Sequence, residues 1–323
     1  MRNAWSLGYG FVARGVVGHV VILAGVGLLA PIVLQYAVLG EAVGTGGPAT
    51  LGRARPELGP NAIAATLAIV VVSYVVQTGS YFASWRLGFG PERSLARALG
   101  YGLGAGLLAL AVFALVGMAA ALAAMPAGAS GAPVLAVMII AVPLLIAFAM
   151  FYTALAAALA AAVALLLIAL MAYGMAAGDV GLAASMVGGS GGVVVMLLLF
   201  SVVLLWLAAR LSCAAPLMAE RRSLNLLAAV RDSWRLTWDE QWAILRYLAL
   251  VGFGLALAVA AVAVAAGLGA TALLDEPAAP NLELGATVLT LAASVPLAFV
   301  SVLVPAGIHL ELRGSAPAAE VFA

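Results

Sequence analysis

Side chains able to carry chemistry are few in this 323-residue chain, and their spacing is as informative as their number. There are two histidines, His19 and His309, and a single cysteine, Cys213. Hydrolytic metal sites gather ligands at recurring short spacings, such as HExxH on one helix face or CxxC pairs, and neither occurs here. A lone thiol can form neither an internal disulfide nor a metal cluster. No paired-carboxylate spacing and no GxxxxGK[ST] loop is present, so neither cofactor, metal nor enzymatic activity is expected.

What remains is polar groups set in apolar surroundings. Ser73, Gln77, Ser80, Tyr81 and Ser84 fall on one helical face of an apolar stretch. Turned toward hydrocarbon they would be unfavourable, so that face must meet protein or a wet cavity. Hydrogen bonding between helices is the commoner use of such a face; a path for a small solute is the other. His19 and His309, the latter beside Glu311, fall near the cytosolic ends of their apolar stretches, close enough to the interface to be hydrated, and packing or interfacial hydrogen bonding is their expected role. Pro31, Pro143, Pro296 and Pro305 interrupt apolar stretches, as kinked packing helices do and as the broken helices of ion sites also do. Gly100, Gly102, Gly104 and Gly106 open another, where four-residue spacing permits close helix approach.

The elements that must position these groups follow from composition. Apolar residues make up 66% of the chain and charged residues only 8%, against about 25% in soluble domains. With mean hydropathy of +1.21, a soluble enzyme is excluded, as is a disordered chain. The net charge of +1 argues against a nucleic-acid partner. A crossing helix needs about 20 mostly apolar residues. Such stretches run over 16–39, 61–86, 101–125, 133–152, 154–177, 191–212, 247–270 and 286–310. As one helix, 133–178 would reach roughly 68 Å, more than twice the membrane, so it must fold back near Met150–Thr153. The expectation is an all-α, polytopic transmembrane bundle of about eight spans in one integral domain, 1–323, with six spans plus a re-entrant segment as the alternative.

Arginine placement gives an independent orientation. All basic residues are Arg. With both termini in the cytosol, the inner side holds Arg2, Arg14, Arg86, Arg93, Arg97, Arg210, Arg221, Arg222, Arg231, Arg235, Arg246 and Arg313, and the outer side only Arg53 and Arg55. That is the positive-inside pattern of a bacterial cytoplasmic (inner) membrane protein. The same threading brings all six tryptophans (Trp5, Trp85, Trp206, Trp234, Trp238 and Trp242) to the cytosolic headgroup zone.

Two further patterns concern that side. Leu7-Gly8-Tyr9-Gly10 recurs as Leu99-Gly100-Tyr101-Gly102, and the Trp-x-Leu of Trp5–Leu7 recurs at Trp234–Leu236. They suggest a threefold repeat, units 1–93, 94–230 and 231–312, each an interfacial helix followed by a transmembrane hairpin. Over 224–246, Leu227, Val230, Trp234, Trp238, Trp242 and Leu245 share one arc, with Asp232, Arg235, Asp239, Glu240 and Arg246 mostly opposite. One amphipathic helix lying in the headgroup plane is expected, with Trp234, Trp238, Trp242 and Arg235 at the lipid interface. Five Arg against four acids over 220–246 make it an anchor rather than a polybasic clamp.

The stretch from Trp206 through Arg210, Pro216 and Glu220, with Arg231-Asp-Ser-Trp-Arg-Leu-Thr237 and the helix after Trp242, resembles a known family. It is similar to the multi-span membrane domain attached to some bacterial glycerophosphoryl diester phosphodiesterases and to free-standing relatives of that domain. In such proteins the phosphodiesterase chemistry resides in a separate soluble barrel, which has no counterpart in these residues, and the usual layout has six spans. The resemblance implies a membrane domain near lipid-related functions and not a catalyst. The expected role is non-enzymatic membrane organisation or lipid handling, with membrane lipids as partners and a membrane-protein partner or homo-oligomer left open. A transporter or channel using the polar face of the second span is the alternative.

Overall fold

The computed structural model describes residues 1–39, 60–90, 94–124, 152–154, 156–163, 165, 191–273 and 279–315. Among them every regular element is helical. Helix α1 is Ala4–Ala13, closed by Gly15, whose non-helical backbone separates it from α2. Helix α2 joins Val16–Val20, a π-helical stretch Val21–Leu29 and Ala30–Leu39. The wide turns immediately precede Pro31, which has no N–H to give the turn before it. Then come α3 (Pro60–Phe89), α4 (Leu95–Ala124), α5 (Gly191–Leu211), α6 (Ala214–Arg221), α7 (Leu226–Leu236), α8 (Gln241–Leu273) and α9 (Ala279–Ser315).

Five described helical stretches are long and apolar enough to cross a membrane: Val16–Leu34, Leu95–Leu115, Leu198–Arg221, Gln241–Ala261 and Ser294–Gly314. They coincide with five of the eight expected spans. The second expected span is the more polar α3. Of the expected spans 133–152 and 154–177, only 152–154, 156–163 and 165 are described. These are helical from 153 onward, and Tyr152, Ala154, Ala156, Ala157, Ala160 and Ala161 are buried. The expected reversal at Met150–Thr153 falls at the edge of the described residues. Leu115, Leu250 and Leu257 face outward along α4 and α8. In water such a surface would be a liability, but in hydrocarbon it is the required coat.

Small residues decide how the helices meet. A Cβ on Gly102 would lie 2.3 Å from the Gly79 carbonyl oxygen, and one on Gly106 would lie 2.4 Å from that of Val75, so α3 and α4 touch backbone to backbone. Gly100 and Gly104, on the other stripe of α4, approach no backbone. The second close crossing joins α1 to α9. A Cβ on Gly8 would come 2.4 Å from Leu303 O, and one on Gly307 would come 2.0 Å from Ala4 O. Helix α1 is therefore packed against α9, with Trp5 half-exposed, and does not lie on the headgroups by itself as expected.

Two other expectations are corrected, for Trp85 and for 224–246. Helix α9 runs through both Pro296 and Pro305. In the turn before Pro305, the Val302 carbonyl accepts the indole N–H of Trp85 at 2.9 Å. That tryptophan is only 1% exposed, a core residue rather than a headgroup anchor. The single amphipathic helix over 224–246 is instead two helices, because α7 stops at Leu236 and α8 starts at Gln241. Thr237 donates its hydroxyl to the Ser233 carbonyl at 2.9 Å, competing with the helical backbone, and Asp239 and Glu240 then place negative charge at the N-terminus of α8. Leu99–Gly102 lies inside long α4, and Leu7–Gly10 lies in short α1.

Candidate functional site

The arginine-bearing helix ends converge on one region, and its chemistry begins with Arg210. Helix α5 ends at Leu211 and turns at Ser212 and Cys213 into α6, which places Arg210 inside the bundle with no exposed surface. Its guanidinium lies between the rings of Trp234 and Trp238, 4.4 and 4.6 Å from their centroids. None of its three nitrogens has a hydrogen-bond partner among the described residues. The indole faces therefore supply the stabilisation, which for a desolvated cation–π contact is about 2 kcal/mol or more. The backbone completes the junction. Ser233 donates its hydroxyl to the Arg210 carbonyl at 2.8 Å, and Thr237 Oγ1 lies 3.3 Å from the same oxygen, pinning α7 to the end of α5.

Trp234 is accordingly half-buried, with Trp206 packed edge-on against it at 5.2 Å. Trp238, in the turn between α7 and α8, has one face toward Arg210 yet is 59% exposed. Trp242 at 65%, Leu227 at 81% and Arg235 are exposed nearby in sequence. Of the four expected interface residues, three thus reach the surface and Trp234 turns inward, a consequence of the helix break after Leu236. The Arg221 guanidinium pairs with Asp232 across the α6–α7 connection and holds its carboxyl below the usual carboxylate range.

A second cluster centres on Glu220, at the end of α6. His309 Nε2 lies 3.0 Å from Glu220 Oε2, and Arg313 pairs with the other oxygen. Arg86 Nη1 donates to the Ala219 and Glu220 carbonyls at 3.1 and 3.4 Å. Glu311 faces away from His309 to the first ammonium group of the chain at 3.0 Å and the Asn3 N–H at 3.3 Å. His19 and His309 are fully buried rather than hydrated, within hydrogen-bond distance of Ser84 and Glu220. Neighbouring helices cover them, including the edge of Phe89 against His309 at 5.4 Å.

The polar face of the second span divides between two neighbours. Ser84 Oγ lies 2.5 Å from His19 Nδ1 on α2, and Ser80 packs where Gly27 has no side chain, donating to its own Gln77 carbonyl at 2.6 Å. Tyr81 meets the ring of Tyr152 edge-on at 5.8 Å, and the hydroxyl of Thr78 lies 2.5 Å from that of Tyr152. Ser73 and Gln77 are half-buried. Beside His19 is a cavity of about 200 Å³ lined by Phe11, Arg14, Gly15, Gly18, His19, Leu87 and Gly88. Sequence reasoning missed Arg210, Glu220 and Thr78 as site residues. The signal for Arg210 was available, since arginine two residues before a Ser-Cys pair within an apolar span is costly to bury.

Among the described residues no group of His, Cys, Asp and Glu could hold a metal ion. Chemically the arrangement can grip and orient. It offers stacked indoles over a buried cation, an ion-paired carboxylate and exposed aromatic rings. Residues 184–310 match the family described as the membrane domain of glycerophosphoryl diester phosphodiesterase, the family that the Trp206–Thr237 stretch resembles. The matched part contains the helices from α5 to the greater part of α9, and it is the membrane domain, not the catalytic part, of those phosphodiesterases. No curated protein and no solved structure matches the chain.

Proposed function

We propose that this chain is a non-enzymatic multi-pass protein of the bacterial inner membrane that organises or handles lipid at its arginine-rich, cytosolic face. The observation that carries the reading is the Trp238 ring, which stacks on a fully buried guanidinium and still offers most of its surface outward, with Trp242 and Leu227 also exposed. An indole held rigidly from behind is pre-organised for headgroup-level contact and loses little freedom on binding. The match to a membrane domain rather than a catalytic one supports the same assignment. The reading keeps eight spans, both termini in the cytosol and related units at 1–93, 94–230 and 231–312. It includes a role as subunit of a larger membrane complex, since small-residue helix faces pack well against partners. A solute path along the second span is less well supported, because Ser80 and Ser84 are taken up by α2.

Brominated phosphatidylcholine in reconstituted vesicles tests this directly. Bromines placed near the headgroup should quench tryptophan fluorescence more than bromines at the chain end, and the W238F/W242F double variant should lose most of that difference. Equal quenching at both depths, or a double variant quenched like the parent, would overturn the lipid-surface reading.

A further inference from the structure

Helix α6 ends in an unusual way. Arg222, its C-cap, is the only non-glycine with positive φ among the described residues, at φ 55° and ψ 32°. Glycine is the ordinary occupant of that left-handed position, which closes the helix through the Ser223 N–H to Met218 O bond, 3.1 Å. Arginine gains nothing from the conformation. Among the described residues its side chain makes no hydrogen bond or ion pair, and the Arg86 guanidinium lies near enough to repel it. A strained residue held against a like charge points to a function for its side chain.

That side chain lines a cavity of about 220 Å³ whose other walls are Arg86, Ser94, Arg97, Ala98 and Tyr101. Among the described residues three guanidiniums, one serine hydroxyl and one phenol meet there, and none of those lining it is acidic. The acids nearest in sequence to Arg222 face elsewhere, with Glu220 on His309 and Arg313 and Asp232 on Arg221 and Arg231. Arg86 is only 7% exposed and held at its Nη1 by the Ala219 and Glu220 carbonyls, and Tyr101 donates to Ser223 O at 3.2 Å, so α3, α4 and the α6 terminus are locked around the space. The volume lies below the roughly 300–1,000 Å³ of sites for drug-sized ligands and suits a small oxyanion. Planar guanidiniums with flanking hydroxyls match the geometry of phosphate oxygens.

We propose that Arg86, Arg97 and Arg222 form a phosphate-binding site at the arginine-rich end of the bundle. The phosphate chemistry stands on the cavity itself; its coming from a lipid headgroup rests on the function proposed above. The site lies partly outside the segment that matches the known membrane domain, since Arg86, Arg97 and Tyr101 precede residue 184.

The test uses the full chain purified in a zwitterionic detergent and titrated with inorganic phosphate, short-chain phosphatidic acid and phosphatidylcholine of equal chain length. The parent should bind phosphatidic acid or phosphate in preference to phosphatidylcholine. R222G should weaken that binding about tenfold or more while leaving the ligand-free Tm unchanged or raised, because glycine suits the left-handed cap. Loss of affinity together with retained or improved stability separates a binding role from a structural one. R222K should retain part of the affinity, and R2A, which removes one exposed charge elsewhere, should retain all of it. Binding of phosphatidic acid that inorganic phosphate does not match assigns the site to a lipid. Binding of inorganic phosphate alone supports the site with a soluble source and counts against lipid handling. Binding of neither ligand, or full affinity in R222G, overturns the site even where brominated lipid still quenches Trp238.

Discussion

At the scale of single residues, Arg210 is where physical chemistry makes the sharpest demand. A desolvated guanidinium without hydrogen-bond acceptors is held by two indoles, so the two sides of the contact should respond differently to substitution. Replacing the charge by an apolar side chain of similar length, R210M, removes the burial penalty along with the attraction and should change stability by no more than about 1 kcal/mol in either direction. W234L leaves the buried charge with half its cage and should lower stability by about 2 kcal/mol. In the double variant most of the W234L loss should disappear, as thermal or denaturant unfolding in detergent would register. Strictly additive effects would show that the ring and the cation do not interact. The sequence displayed the participants, yet their meeting was hidden. Trp234 and Arg235 alternate on a helical wheel as though one faced lipid and the other water. Only the break after Leu236 and the hydroxyls of Ser233 and Thr237 on the Arg210 carbonyl turn Trp234 inward. His309 was misleading for a similar reason. Its sequence neighbour Glu311 looked like its partner, but the nearer carboxylate is Glu220, 89 positions away.

Among elements, the crossing of α3 and α4 shows how far a sequence pattern reaches. The four alternate glycines from Gly100 to Gly106 announced a close approach, and hydropathy located the helix. Which stripe faces the partner depends on helix rotation, which composition does not encode. Gly102 and Gly106 meet α3, whereas Gly100 has open space around it. G102A and G106A should each force the backbones apart and destabilise the protein by about 1–3 kcal/mol. G100A should be neutral or slightly stabilising, because alanine is the better helix former. Melting temperatures of the three single variants check this, and equal effects at 100 and 102 would reverse the assigned face. The five clearest spans were readable because hydrocarbon imposes a minimum length of apolar chain. The end of α7 was not, because its apolar arc continues through Trp238 and Trp242 while local hydroxyl-to-carbonyl bonds end the helix.

For the molecule as a whole, orientation is the property on which the remaining inferences depend. Cys213 cannot report it in the folded protein, because the thiol is fully buried. Exposed positions at the same end can. In a C213A background, L224C and R313C should react with a membrane-impermeant maleimide only after cells are opened. Labelling of either in intact cells would invert the bundle and carry the arginine-lined cavity to the other face. Arginines gathered at span ends were legible because a guanidinium is costly to hold in hydrocarbon. That three of them also line one cavity depends on the α6 terminus meeting α3 and α4, contacts made over more than a hundred residues of sequence.

The contact of α1 with α9 bears on how the chain is made. Ala4 and Gly8 fit against Leu303 and Gly307 with no room for another atom between the backbones, so the seat for α1 does not exist until α9 has been synthesised. A nascent chain must therefore carry α1 undocked until α9 has emerged. Premature termination anywhere before α9 would leave that helix unseated, a visible degron for membrane quality-control proteases.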